Sequence, residues 1–321
     1  MLKLFQEVEK KYPSKHLLVI GDVMLDKYIW GDIERISPEA PVPVVHIDNV
    51  EYHAGGAANV ARNISGLGGK VSLVSLIGEG SSSTTLKTIL SKDNLSQQFL
   101  LSDPSRITTV KTRIIAQGQH MIRLDDEKFV LSDGRIIMAL KEYILPLLQD
   151  IDGILLEDYN KGVLSPELIS WIMKEAKKKS IPVYVDPKYL HFSYYRGARF
   201  FKPNYSEYVS FIDHKNNLKT NGEVFRNEHD FEVLLITKGA DGMDLFYDEN
   251  YIQIPTRARS VHDVSGAGDT VIATFSLNDL CGLEPTDSAM LANLAAGKVC
   301  ESVGVVPITR KSLMEILEHN R

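Results

Sequence analysis

Residues 152–185 read DGILLEDYNKGVLSPELISWIMKEAKKKSIPVYV, and this stretch decides the fold. Asp152 to Leu156 is an apolar run of strand length. Ser165-Pro166-Glu167 then supplies an N-cap, a proline at the first helical position and an acid in the first turn. The helix this opens extends to about Lys179, and Pro182 to Val185 follows as a second strand. Strand, helix and strand in that order form a βαβ unit, which joins parallel strands by a helical crossover.

The alternation continues outward on both sides. Upstream, His16 to Gly21 and Val71 to Leu76 read as strands, with helices from about Gly56 to Leu67 and around Ile136 to Leu148. Downstream lie strands at Arg199 to Phe201 and Val233 to Thr237, a hairpin through Met243 to Ile254, and helices near Ala267 to Leu280, Thr286 to Ser302 and Lys311 to His319. A mainly parallel sheet with helices on both faces is expected, an α/β architecture. Two segments break the rhythm, Ile33 to His53 and Arg106 to Asp125, both rich in Val, Ile and Thr and without a helical pattern. They are expected to form a small separate β-sheet, a lid, or else two exposed hairpins; Pro38, Pro41 and Pro43 suit an edge strand or its approach.

The 321 residues accommodate two domains or one large α/β domain with an appendage, and 44% hydrophobic with 24% charged residues disfavours disorder. A formal net charge of −6 gives no general basis for binding nucleic acid. No window approaches the ~20 apolar residues of a membrane span, and MLKLFQEVEKKYPSK reads as a surface helix rather than a signal peptide, so a cytoplasmic location is expected. Cys281 and Cys300 have no CxxC spacing and read as reduced core residues. No GxGxxG, GxxxxGK[ST], HExxH or GxSxG occurs, which removes the main support for dinucleotide, P-loop, zinc-protease and α/β-hydrolase readings.

Chemistry concentrates in His262-Asp-Val-Ser-Gly266-Ala-Gly-Asp269-Thr270 ahead of an apolar helix. Small residues there let backbone N–H groups converge at a helix N-terminus, which binds anions. A carboxylate in that first turn, Asp269, could take a proton from an attacking hydroxyl while the amides stabilise a transferring phosphoryl group. It could equally be an acidic first turn beside a simple cap.

Gly55-Gly-Ala-Ala-Asn59 together with Gly266-Ala-Gly-Asp269 resembles the two signatures of the ribokinase-like, or PfkB, carbohydrate kinases. The likeness covers nearly the whole chain through Gly21-Asp-Val-Met-Leu-Asp26, Asp158-Tyr-Asn-Lys-Gly162, Val185-Asp-Pro-Lys188, Pro203-Asn-Tyr-Ser-Glu207, Thr237-Lys-Gly239 and Asn293. It implies a ribokinase-like three-layer αβα fold with a β-sheet lid, a single domain over 1–321 with no C-terminal nucleotidyltransferase domain, and a homodimer through the lid. Arg35-Ile-Ser-Pro-Glu-Ala-Pro-Val-Pro-Val44 and Ile122-Arg-Leu-Asp125 are similar to the family's heptose 7-phosphate kinases. That likeness implies ATP-dependent phosphorylation of an anomeric hydroxyl.

The resemblance assigns roles by position. Asp269 would be the general base, with the Gly266, Ala267 and Gly268 amides as the anion hole. Asp26 and Asn59 would bind sugar hydroxyls, and Gly55-Gly56 would let backbone approach the ring; separately, these could be a turn cap, a helix residue and a helix start. Arg123, Lys161 and Lys188 are candidates for the substrate phosphate, with Asp186 beside them, and which of the cations touches it stays open. Arg113 is a further lid candidate, although as an exposed cation it reads as solvated. Asn204 and Glu207 would lie near the triphosphate, Glu207 supporting Mg²⁺ through water, or they form an N-cap with a first-turn acid. Thr237, Lys238 and Gly239 would meet nucleotide phosphates, and Asn293 would border the base. The rivals are another sugar kinase of the family and a catalytically silent sugar- or nucleotide-binding regulator. The chain departs from the usual pattern at Gly78-Glu-Gly80 and Tyr52-His-Ala54, both beside the expected acceptor pocket.

Overall fold

The computed structural model describes residues 1–212, 218–256 and 262–319. Its main sheet contains β1 (His16–Gly21), β4 (Lys70–Ile77), β5 (Leu100–Ser102), β8 (Gly153–Glu157), β9 (Val183–Asp186), β10 (Phe200–Phe201), β11 (Val233–Thr237), β12 (Met243–Tyr247) and β13 (Asn250–Ile254). Their order is β13-β12-β11-β10-β9-β8-β1-β4-β5, parallel throughout except for the β11-β12-β13 meander. A second sheet takes β2 (Val23–Ile36), β3 (Pro43–Gly56), β6 (Thr109–Ala116) and β7 (Gln119–Asp126) in the order β3-β2-β6-β7.

The 152–185 stretch shows why the main sheet forms. Ser165 Oγ accepts the Leu168 N–H at 3.2 Å and Pro166 occupies the first turn of α5 (Pro166–Lys179). Ser180 ends the helix in the left-handed region at φ 54°, and the chain returns so that Ile154 pairs with Val183 and Glu157 with Asp186. Strands buried on both faces alternate their side chains between two helical layers. On one face Leu17, Val19 and Leu155 pack with α2 (Ala57–Leu67), α8 (Ala267–Leu280) and α9 (Pro285–Val299) through Ile64, Ile272, Phe275 and Leu291. On the other, Leu18, Ile20, Ile154 and Leu156 pack with α4 (Gly134–Leu147) and α5 through Leu140, Ile144, Ile169 and Ile172. The helices α1 (Leu2–Val8), α3 (Ser81–Lys92) and α10 (Arg310–His319) join the first layer, and α6 (Tyr205–Phe211) and α7 (Leu218–Glu228) the second.

The small sheet is mixed, since β2 pairs antiparallel with β3 but parallel with β6. It extends beyond the segments that pattern alone delimits, because the ten residues Val23–Asp32 are already strand. Their buried apolar residues and single early acid carry no clean alternation, which hid them. Gly31 is needed there, since a Cβ would lie 1.9 Å from the His46 carbonyl oxygen. The amino terminus forms the expected surface helix, with Lys3, Gln6 and Glu7 exposed and one apolar face turned inward. Phe5 and Tyr12 are wholly buried, and the Tyr12 hydroxyl donates to Asn278 Oδ1 at 2.5 Å. Both cysteines are free and buried.

Helix α8 is seated by Phe275, whose ring stacks on Phe200 at 3.7 Å between centroids and 13° between planes. Phe275→Ala is expected to cost about 3–5 kcal/mol of stability. Denaturant unfolding measures it, and a loss under about 1 kcal/mol would show that the stack does not seat the helix.

Candidate active site

Asp269 sits in the first turn of α8, fully buried, behind Gly266 in the left-handed region at φ 78°. A Cβ on Gly266 would stand 2.6 Å from Asn59 Nδ2, so glycine is required where α2 and α8 meet. Among the described residues no side chain caps the first turn of α8, a terminus suited to an anion. The Ala267 N–H differs from the expectation, for it donates to the Val264 carbonyl at 3.2 Å. Asp263 shapes the approach: its carboxylate accepts from the Ser265 N–H, the Tyr28 hydroxyl and the Gly304 N–H at 2.9, 2.9 and 3.1 Å. Burial opposes its ionisation, but those donors hold Asp263 below the usual carboxylate range.

Asn59 Nδ2 donates to Asp269 Oδ2 at 2.8 Å, and the Tyr159 hydroxyl to Oδ1 at 2.9 Å. Burial pushes the Asp269 carboxyl up to about 6, against the Asn59 hydrogen bond. Glu157 and Asp186 lie close by, with one oxygen from each of the three acids within 4.8 Å of the others. Glu157 is held well above the carboxylate range by burial and then by Asp186 and Asp269, and its Oε2 has no hydrogen-bond partner. Lys202 Nζ pairs with Asp186 Oδ2 at 2.7 Å, and a Cβ on Gly268 would lie 3.4 Å from that ammonium. A buried cation thus stands under the helix N-terminus. Glu157, Tyr159 and Lys202 were not singled out in the sequence, because nothing local marks a strand-end acid or lysine as facing a site.

On one side of Asp269 opens a cavity of about 550 Å³ lined by Asp186, Lys188, Asn204, Glu207, Thr237, Gly239, Gly268 and Asn293. Ala267 also borders it. Asn204 and Glu207 form a reciprocal capping box on α6, and the Lys188 ammonium pairs with the other Glu207 oxygen. Lys238 lines the adjoining groove, its ammonium 2.8 Å from Asp244 Oδ2. The Asn293 amide donates to the Pro255 carbonyl at 2.7 Å, so it braces the cavity rim.

On the other side stand Asp26, Gly55, Gly56 and Asn59. A Cβ on Gly55 would fall 2.0 Å from Asp26 Oδ2, and Gly56 has φ 60° with a Cβ position 2.4 Å from the Asp22 carbonyl oxygen. Asn59 Oδ1 is buried and has no partner among the described residues. Arg113 corrects its reading as a solvated cation: its side chain is 11% exposed, bonds Asp26 Oδ1 at 2.5 Å and lies 5.1 Å over the Tyr28 ring. Arg123 is not brought to this cluster. It is exposed on β7 and pairs with Asp125 at 3.0 Å. Lys161 bonds Glu127 at 2.8 Å, and Lys111 reaches Asp125 and Glu127 at 3.3 and 3.2 Å. The small sheet thus gathers three cations on two acids at one edge.

A buried carboxylate at a helix N-terminus, beside a cavity at the carboxyl ends of parallel strands, is an arrangement suited to phosphoryl transfer. The chain belongs to the pfkB family of carbohydrate kinases, whose model matches residues 14–311. It is 38% identical over 309 residues to the bifunctional protein HldE of Syntrophotalea carbinolica, covering 94% of this chain and 63% of that protein. With HldE of Methylobacillus flagellatus it shares 40% over 308 residues, covering 94% and 63%. The chain therefore spans under two thirds of the length of these relatives. The crystal structure of phosphofructokinase-2 from Escherichia coli in complex with substrates and products superposes with a TM-score of 0.80 at 17% identity, covering 96% of this chain and all of that one. The fold is ribokinase-like, a three-layer αβα arrangement with a small accessory sheet.

Gly55→Ala forces Asp26 away from Arg113 or shifts the β3–α2 turn. The Michaelis constant for the sugar is expected to rise roughly tenfold or more, with that for the nucleotide unchanged. Equal changes in both constants would place Gly55 outside the sugar side.

Proposed function

We propose that this sugar kinase transfers the γ-phosphoryl group of ATP to the anomeric C1 hydroxyl of D-glycero-β-D-manno-heptose 7-phosphate. One observation carries the chemistry: the Asp269 carboxylate, braced by two donors, sits at the uncapped N-terminus of α8 between the two halves of the cleft. The nucleotide would lie in the cavity along Thr237, Gly239 and Asn293, its γ-phosphate toward α8 and Lys202. The sugar would lie against Asp26, Gly55, Gly56 and Asn59, where the free Asn59 Oδ1 accepts a hydroxyl. Asp269 takes the acceptor proton as oxygen attacks phosphorus, and the Gly266 and Gly268 amides with Lys202 stabilise the spreading charge. The HldE relatives support a heptose substrate, and Lys111 of the small sheet with Lys161 of the loop before α5 offers cations for its 7-phosphate.

ATP brings Mg²⁺, which would neutralise phosphate charge. Both Glu207 oxygens already hold donors, so Glu207 would act on such an ion through water. The small sheet would close over the sugar as a lid, and its exposed Ile36, Ile47, Ile122 and Leu124 suit contact with a second copy of the chain.

Turnover is expected with heptose 7-phosphate in a panel of sugars and sugar phosphates; turnover of ribose or fructose 6-phosphate with none of the heptose phosphate would overturn the substrate. Asp269→Asn is expected to abolish transfer while sparing ATP binding, and unchanged turnover would refute the base. Because the base must be ionised, kcat/KM should fall as pH drops through about 6. A rate flat from neutrality well into acid would contradict that assignment.

A further inference from the structure

The loop between β8 and α5 carries a phenol to the base. With Tyr159 on Oδ1 and Asn59 on Oδ2, each Asp269 oxygen holds one donor and keeps a lone pair for another proton. The delivery of that phenol is built into the backbone. The Tyr159 N–H donates to Asp22 Oδ2 at 3.0 Å, joined there by the Lys161 N–H at 2.9 Å, while the Val163 N–H reaches Oδ1 at 3.1 Å. Asn160 and Gly162 take φ of 55° and 95°, and a Cβ on Gly162 would stand 2.0 Å from the Val130 carbonyl oxygen. The Lys188 ammonium lies 5.2 Å from the centre of the Tyr159 ring. Backbone, ring and hydroxyl are each held by a separate contact.

We propose that Tyr159, anchored through its backbone on Asp22, is a positioning residue for phosphoryl transfer: its hydroxyl fixes the Asp269 carboxylate and keeps its remaining lone pairs turned to the acceptor hydroxyl. The proposal rests on Asp269 being the base. A carboxylate rotates easily about its terminal torsion, so one donor on each oxygen converts a mobile base into an oriented one. The phenol stays a donor, since burial and the Asp269 charge hold its ionisation well above the ordinary range. Donation to the carboxylate also favours its charged form. The other groups facing Asp269 are Glu157 from β8, Asp186 at the end of β9, Lys202 after β10 and Asn59 from α2. All of them remain when the phenol oxygen alone is removed.

The experiment compares Tyr159→Phe with the natural chain and with Asp269→Asn, using ATP, Mg²⁺ and the best acceptor of the panel. For Tyr159→Phe, kcat is expected to fall roughly tenfold with the Michaelis constant for ATP unchanged. The acid limb of its kcat/KM profile is expected to move upward by about half a pH unit or more. Unfolding should be little altered. Full kcat with an unmoved limb overturns the positioning role, as does a lower kcat accompanied only by loss of stability. If Tyr159→Phe does not fold, Tyr159→Leu is read by the same profile. Retained activity in Asp269→Asn overturns the base itself, an outcome distinguishable from failure of the tyrosine alone.

Discussion

Three backbone N–H groups converge on the Asp22 carboxylate, and the site depends on that convergence. Asp22 lies in the one-residue link between β1 of the main sheet and β2 of the small one, so it ties the two sheets and the 159–163 loop at a single point. Burial and the nearby Asp158 charge push its carboxyl up to about 6, against the pull of the three amides. The loop's charges are met in turn, for Asp158 Oδ2 accepts from the His191 ring at 2.8 Å and from the Tyr195 hydroxyl at 2.8 Å. Removing one partner of such a network leaves buried groups unpaired, which costs more than the bond itself contributes.

Close approach is the second constraint. Gly31, Gly55, Gly56 and Gly266 each occupy a place where a Cβ would collide with backbone or with a site side chain. Their spacing through the chain reflects where the small sheet crosses itself, where β3 turns into α2 and where α8 begins. The glycine pair near the amino terminus and the glycines before Asp269 are thus two halves of one packing requirement, since Asn59 of α2 reaches across to the first turn of α8.

What could be read in the sequence follows from range. The βαβ unit was legible because Ser165, Pro166 and the apolar strands are local signals, and Asp269 stood out because small residues before an apolar helix mark an anion-binding turn. The resemblance to a kinase family rested on motifs contiguous in sequence. The side-chain pairings were not legible: Arg113 reads as solvated until Asp26, 87 residues earlier, is seen at 2.5 Å. That Asn59 also braces Asp269, 210 residues later, is likewise visible only in the fold. Arg123 belongs to a motif, yet β7 turns it outward onto Asp125. Such pairings depend on how sheets cross, which no window of sequence contains.

Charge balance explains how a pocket so rich in acids can face a triphosphate. Glu157, Asp186 and Asp269 crowd together at the carboxyl ends of the central strands. Burial discourages charge on Lys202, but Asp186 and Glu157 outweigh it and raise its affinity for a proton, so the ammonium persists without solvent. Glu157 moves the other way, since burial and then Asp186 and Asp269 raise its affinity for a proton and disfavour its charged form. Lys188 cancels Glu207 at the rim. Asp269 completes the cluster, with a helix N-terminus and a buried cation beside it. In the proposed reaction a phosphoryl group would meet that helix N-terminus and ammonium, while Asp269, whose carboxyl burial pushes up to about 6, would face the sugar hydroxyl that loses a proton.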